Sequence, residues 1–355
     1  MENLKDLVDN GIEYDFIIME RDHFSFQKLS NGFRAYVRAK IGKFPFMIEK
    51  YNQSKMKKLI TTNFSSFNPD IVHIEYNYMH HYVQLNSSTP FILTEHDVTT
   101  KVKERLHSVI NSNSSLLEFK KWKSIEPAVI KKFDAFITLT KEDKDYTTNW
   151  NVPECYVIPP QFSIPKLNVI KNEQISLCFV GSFNRKPNIF ALKELLSLFP
   201  QIQDHYPQVE LKIAGKYLSD ELKNEINSIN GIQYLGFVDN IDELIAKCTL
   251  FVAPIKIGAG LKMKIPHSLS VGTPVITTSV GAEGIPFGEN DGLWVEDLKE
   301  DFVKKCNDLL QSPRELKRVS NNCIKAVNQY FSPFIITKKL EDVYSSVIER
   351  FNGKT

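Results

Sequence analysis

Residues 250–286 read LFVAPIKIGAGLKMKIPHSLSVGTPVITTSVGAEGIP. An apolar run, Leu250–Ile255, leads into a glycine turn at Gly258, Ala259 and Gly260, and the basic pair Lys262 and Lys264 opens a helical stretch. An apolar run without alternation is the pattern of a parallel strand buried on both faces. In open α/β sheets, ligands bind beyond the carboxyl ends of such strands. Glycine lets backbone approach a phosphate closely, and a helix start offers unpaired N–H groups. Lysines at the turn would add charge for a diphosphate. A second run, Pro274–Thr278, ends in another flexible turn, Ser279–Gly284. The plainer alternative is two ordinary strand-to-helix loops with lysines on a solvated face.

Similar runs recur at Phe16–Glu20, Ile71–Tyr76, Phe91–Glu95, Ala135–Thr140, Ser176–Gly181, Glu210–Gly215 and Ile232–Phe237. Each is followed by a helix-like stretch, so βαβ units and a doubly wound α/β architecture are expected. Three prolines within Pro159–Lys171 mark a linker. The expected domains are 1–165, 166–330 and a C-terminal helix over 331–355 packing back on the first domain. Only Gly11, Gly32 and Gly42 precede Gly181, and the other twelve glycines follow from it, which assigns phosphate binding to the second domain.

The 355 residues suit two domains, with 42% hydrophobic and 24% charged residues as in a globular protein. A net charge of +2 points neither to nucleic acid nor to an acidic tail. Five widely spaced cysteines without a CxxC pair indicate neither a disulfide framework nor a zinc site. Met1–Asn10 carries acids and lacks an apolar segment, and no run approaches the ~20 residues of a membrane span. A cytoplasmic location is expected.

From Ser176 to Pro286 the sequence resembles the donor-binding domain of family 4 glycosyltransferases. The carrying stretches are Phe179–Asn188, Leu211–Gly215, Tyr234–Asn240, Gly258–Ile265, Val271–Thr278 and Gly281–Ile285. The resemblance implies a GT-B fold, two Rossmann-like domains facing across a cleft. It also implies a nucleotide-diphosphate sugar donor, retention of configuration, and neither metal nor cofactor. Carried over, Gly258, Ala259, Gly260 and Leu261 would offer backbone N–H groups to the diphosphate, and Lys264 with Lys262 would neutralise it. Gly181, Ser182 and Arg185 would face the phosphates, and Tyr234, Phe237 and Val238 would lie against the base. Two glutamates found in many relatives stand here as Ala259 and His267. His267 could hydrogen-bond a ribose hydroxyl or sit on a helix surface. The phosphate-facing Arg and Lys of relatives read Ser182 and Pro187.

In the first half, His96 and Asp97 end the run LTEHD. The resemblance places this histidine beside the donor sugar near the reacting centre, with Asp97 orienting it or contacting the acceptor. A packed histidine and a helix-capping Asp97 form the alternative. Residues 28–58 hold nine Lys or Arg against one acid, Glu49, among interleaved aromatics. That is a candidate surface for an anionic membrane, or a core-facing helix with a solvated basic side. Relatives open with a strand and a glycine-rich loop, whereas here a helix-like Glu2–Asn10 precedes Phe16–Glu20, so the first βα unit is expected to be missing. The resulting expectation is a glycosyltransferase acting on a saccharide or lipid-linked saccharide acceptor, with no nucleic-acid partner. A catalytically silent homologue serving as a binding or stabilising subunit is the alternative.

Overall fold

The computed structural model describes residues 33–39, 44–83, 88–167 and 174–353. The expected helix Glu2–Asn10 and strand Phe16–Glu20 lie outside these residues, as do positions 28–32 and 40–43 of the basic stretch. Backbone contacts divide the chain into two units, residues 1–69 with 78–84, and residues 70–77 with 85–355.

The described part of the first unit is helical over 33–39, Phe46–Tyr51 and Ser54–Phe67. Ala35, Ile48 and Tyr82 are buried in it. The Tyr82 hydroxyl donates to the Tyr51 carbonyl, and Tyr51 stacks on Tyr78 at 6.0 Å.

The second unit contains two parallel sheets. The first runs β1 (Val72–Glu75), β2 (Phe91–Glu95), β3 (Ala135–Thr138) and β4 (Glu154–Val157), in that spatial order. The second has the order β10-β9-β8-β5-β6-β7. Its strands are β5 (Ser176–Val180), β6 (Glu210–Ala214), β7 (Ile232–Gly236), β8 (Leu250–Ala253), β9 (Val275–Thr277) and β10 (Leu293–Val295). All pairings are parallel. Parallel pairing requires crossovers, and the helices between strands supply them.

Two-sided burial holds for most inner strands but not for β1 and β7, which lie at sheet edges and have no buried residue. Every residue of β2, β3, β5 and β8 is buried. Helix Lys186–His205 lays Leu192, Leu195, Leu196, Phe199 and Ile202 against the second sheet at helical spacing. Ile92, Ala135, Ile137 and Ile158 pack with Ile336, Val343 and Val347 of helix Pro333–Asn352.

Two strands escape the sequence reading. β4 (ECYV) is only partly buried at a sheet edge, and β10 (LWV) is three residues long. Neither presents the continuous apolar run of a two-sided buried strand.

Candidate active site

Strand order reverses between β8 and β5, so the loops after these two strands flank a crevice at a topological switch point. Gly181 follows β5, and the 254–263 segment follows β8. Gly215, after β6, has φ +147, and a Cβ there would lie 1.7 Å from the Gly181 carbonyl oxygen. Only glycine allows these two backbones to meet.

Lys264 points into this crossing. Its Nζ donates to Asn188 Oδ1 at 2.8 Å and lies 4.4 Å from the Phe179 ring centroid. A Cβ on Gly181 would approach the same Nζ to 3.1 Å. Asn188 is held by donating Nδ2 to the Ser182 carbonyl at 2.8 Å. The partners of the ammonium are thus an amide oxygen and a ring face, with no carboxylate among the described residues. Burial pulls the Lys264 ammonium down to about 7, and the positive charge of Arg185 adds to the effect. The group is charge-poor in its present surroundings and would regain a full charge beside an anion.

Tyr234 donates its hydroxyl to the Gly215 carbonyl at 2.7 Å, and Val238 packs on the core. Phe237 is 60% exposed, with Lys216 Nζ 3.8 Å from its ring centroid. Tyr217, also exposed, holds a strained φ of +68. His267 lies one helical turn after Lys264, and its Nε2 sits 2.5 Å from Asp242 Oδ1.

The turn after β8 is fixed by ions from both sheets. Gly260 N–H donates to Asp143 Oδ2 at 2.8 Å, and the Gly258 carbonyl accepts from Arg105 at 2.5 Å. Lys262 Nζ donates to the Gly260 carbonyl at 2.9 Å and to Glu283 Oε2 at 2.8 Å. Glu283 also receives both arms of Arg105, at 2.5 and 2.8 Å, and Lys101 at 2.9 Å. Burial pushes the Glu283 carboxyl up, but Arg105, Lys262 and Lys101 outweigh it and hold the group at about 2. Lys262 is pulled below its ordinary value because burial outweighs Glu283. Ala259 and Leu261 are buried, and among the described residues their N–H groups meet no acceptor.

His96 and Asp97 stand against this turn. Gly260 has φ +61, and a Cβ there would lie 2.1 Å from the His96 carbonyl oxygen and 2.7 Å from Asp97 Oδ1. His96 Nε2 meets Glu75 Oε2 at 2.7 Å, and its ring stacks on Tyr76 at 4.2 Å. A carboxylate only accepts, so in the neutral ring Nε2 carries the hydrogen and Nδ1 presents a lone pair. Burial raises the Asp97 carboxyl, opposed by Lys262 and reinforced by Asp143. Beneath it, the buried Glu126 accepts from Thr99 N and Thr100 N, each at 2.7 Å, and caps helix Thr99–Ile110.

The sequence-derived residues therefore gather at two neighbouring places. Gly181, Ser182 and Lys264 meet at the switch point, joined there by Asn188. Gly258, Ala259, Gly260, Leu261 and Lys262 meet His96 and Asp97. Arg185 is exposed at the start of helix Lys186–His205. Asn188, Lys101, Arg105, Glu283, Glu75 and Asp242 were assigned no role from sequence, and Asp143 only a structural one, by resemblance to a family position. Glu283 alone carried a signal there, as an acid inside an otherwise small and apolar run.

Two parallel Rossmann-like sheets, with a glycine-rich crevice at the switch point of the second, define the GT-B class. Residues 2–161 match the family model described as Glycosyltransferase Family 4, and residues 174–312 match Glycosyl transferases group 1. The chain belongs to the family 4-like glycosyltransferases.

Among solved structures, sucrose-phosphate synthase from Thermosynechococcus elongatus has a TM-score of 0.69 at 17% identity, over 86% of this chain and 79% of that one. HepE from Anabaena, in complex with UDP and glucose, has a TM-score of 0.63 at 16% identity, over 81% and 80%. A Klebsiella pneumoniae protein described as an uncharacterized 44.6 kDa protein in the cps region is 24% identical over 228 residues, 61% of this chain. The chain spans 56% of that relative's length and 58% of the TarM structure it resembles. Among the described residues no helix is long and apolar enough to cross a membrane.

Proposed function

We propose that the chain transfers a sugar from a nucleoside-diphosphate sugar to a saccharide or lipid-linked saccharide, as in surface polysaccharide assembly. Lys264 carries this reading. It is a cation at a switch point whose partners are neutral, set beside turn amides that lack acceptors, and a diphosphate would satisfy both. Arg185 and Gly181 would complete the phosphate cradle. Phe237, Tyr234 and Val238 would border the base, and Asp242, oriented by His267, would accept from ribose hydroxyls. The Anabaena structure's UDP and glucose, and the cps-region origin of the Klebsiella relative, favour a uridine donor and a polysaccharide product.

His96 would present Nδ1 to a donor-sugar hydroxyl. Transfer would keep configuration and need no metal: the bond from the sugar carbon to the leaving diphosphate breaks, and the departing oxygen takes the acceptor's proton. The acceptor oxygen then bonds to the same face. Nothing observed favours the silent-subunit alternative.

The test is nucleoside-diphosphate release from UDP-glucose, UDP-N-acetylglucosamine, GDP-mannose and ADP-glucose. One donor should be turned over, with a loss of about 100-fold in His96→Ala, within the range of an electrostatic catalytic group. Absence of release from every donor by folded protein would count against the enzyme.

Membrane association through 28–58 is a second element of the proposal. Phe33, Tyr36, Phe46 and Met47 are exposed beside Arg34, Arg38 and Lys50. The stretch's one acid, Glu49, is buried 3.8 Å from Arg38. Such a surface suits anionic headgroups. Liposome flotation should depend on anionic lipid, and retention by neutral vesicles alone would remove this element.

A further inference from the structure

Glu283 stands apart from residues with an expected role in binding. Its carboxylate, 7% exposed, gathers Lys101 and Arg105 from helix Thr99–Ile110 and Lys262 from the turn after β8. Three cations on one carboxylate exceed what is needed to neutralise it. Asp143 compensates by taking Lys101 at 2.7 Å and the Gly260 N–H at 2.8 Å. The neighbouring Gly284 N–H donates to Glu142 at 3.1 Å, so the Glu283 loop is itself tied to the first sheet's side. The result is a frame in which the Gly258 carbonyl, the Gly260 N–H and the Gly260 carbonyl each have a fixed charged partner. The amides of Ala259 and Leu261 are left over. The same frame presses Gly260 onto the His96 backbone with no room for a Cβ.

We propose that Glu283 is a positioning residue for sugar transfer: it gathers Lys101, Arg105 and Lys262 so that the diphosphate-facing turn and the His96–Asp97 segment are held in one register. This rests on the reading of the turn as a diphosphate site. The physical consequence is opposite for binding and for turnover. Glu283 competes with a diphosphate for Lys262, because the ammonium already spends its charge on the carboxylate. Neutralising Glu283 frees that charge for the ligand while releasing the register between turn and His96. A residue that only supported the fold would weaken both together.

The experiment compares the full chain with Glu283→Gln, an isosteric change, using UDP by calorimetry and the turned-over UDP-sugar for kinetics. UDP affinity should stay the same or tighten by up to about fivefold, the upper worth of one screened ion pair. Over the same comparison kcat should fall at least about tenfold, reflecting the loss of fixed geometry. Because a buried ionic frame can collapse when one member is lost, Arg105→Gln serves as a second variant that removes no anion. It should lower kcat with UDP affinity within about twofold. Parallel weakening of affinity and kcat, or an unchanged kcat in both variants, would overturn the positioning role. Wild-type protein that binds no nucleoside diphosphate at all would instead overturn the underlying site.

Discussion

The two sheets of the second unit are built alike but end differently. In the first, spatial order follows chain order from β1 to β4 among the described residues. In the second, the chain returns past β5 to lay β8 on its other side, and the crevice opens there. The glycines concentrate at that crevice. The first sheet contributes rigid side chains instead: His96 on the end of β2, Glu75 on the end of β1, and Lys101 and Arg105 on the helix that follows. One sheet's loops bring backbones together through glycine, and the other's strand ends and following helix carry the charged and imidazole side chains.

The comparison can be broken first at the core. Phe251 is fully buried in the cluster around the second sheet, so Phe251→Ala should cost about 3–5 kcal/mol in denaturant unfolding. Ile92→Val, which trims one methylene from the first sheet's cluster, should cost about 0.5–1.5 kcal/mol. A Phe251→Ala cost as small as that of Ile92→Val would mean that the second sheet's core collapses around the missing ring instead of holding a cavity.

A smaller change tests the crossing itself. Gly215→Ala meets the Gly181 carbonyl at 1.7 Å and forces an alanine to φ +147. It should lose about 1–3 kcal/mol and weaken UDP at least about tenfold, with both read by thermal melting. Unimpaired binding would show that the two backbones need not touch.

The subtlest test is pH. Lys264 titrates at about 7 in the fold and at about 10.4 unfolded, so the unfolded chain binds more protons across that window and stability rises with pH. Below pH 7 the folded protein carries the whole cost of the enclosed charge. Lys264→Met should therefore gain its largest relative stability there, and the gap to wild type should close as pH rises from 7 to about 10. A gap independent of pH would mean that the ammonium is solvated.

Much of this contrast was legible in the sequence. Continuous apolar runs located β2, β3, β5 and β8, because two-sided burial demands them, and the glycine turn after β8 announced close backbone approach. β4 and β10 were not legible, since an edge position and a three-residue length leave little pattern. His96 and Lys264 stood out as polar residues at strand or helix ends. Their partners Glu75 and Asn188 did not, and nor did Arg105: each looks like an ordinary solvated residue until long-range folding brings it to its partner. Arg105 and Glu283 are 178 positions apart, yet form a two-armed ion pair.

As proposed above, the switch point of the second sheet is a nucleoside-diphosphate site organised around Lys264. Titration calorimetry of UDP, GDP and ADP with wild-type protein and Lys264→Met at pH 8 tests it most directly. Wild-type protein should bind one nucleotide saturably with uptake of a proton, and the variant should lose at least about tenfold in affinity and take up no proton. Binding that is equally tight in Lys264→Met, or no binding of any of the three by folded wild-type protein, would contradict it.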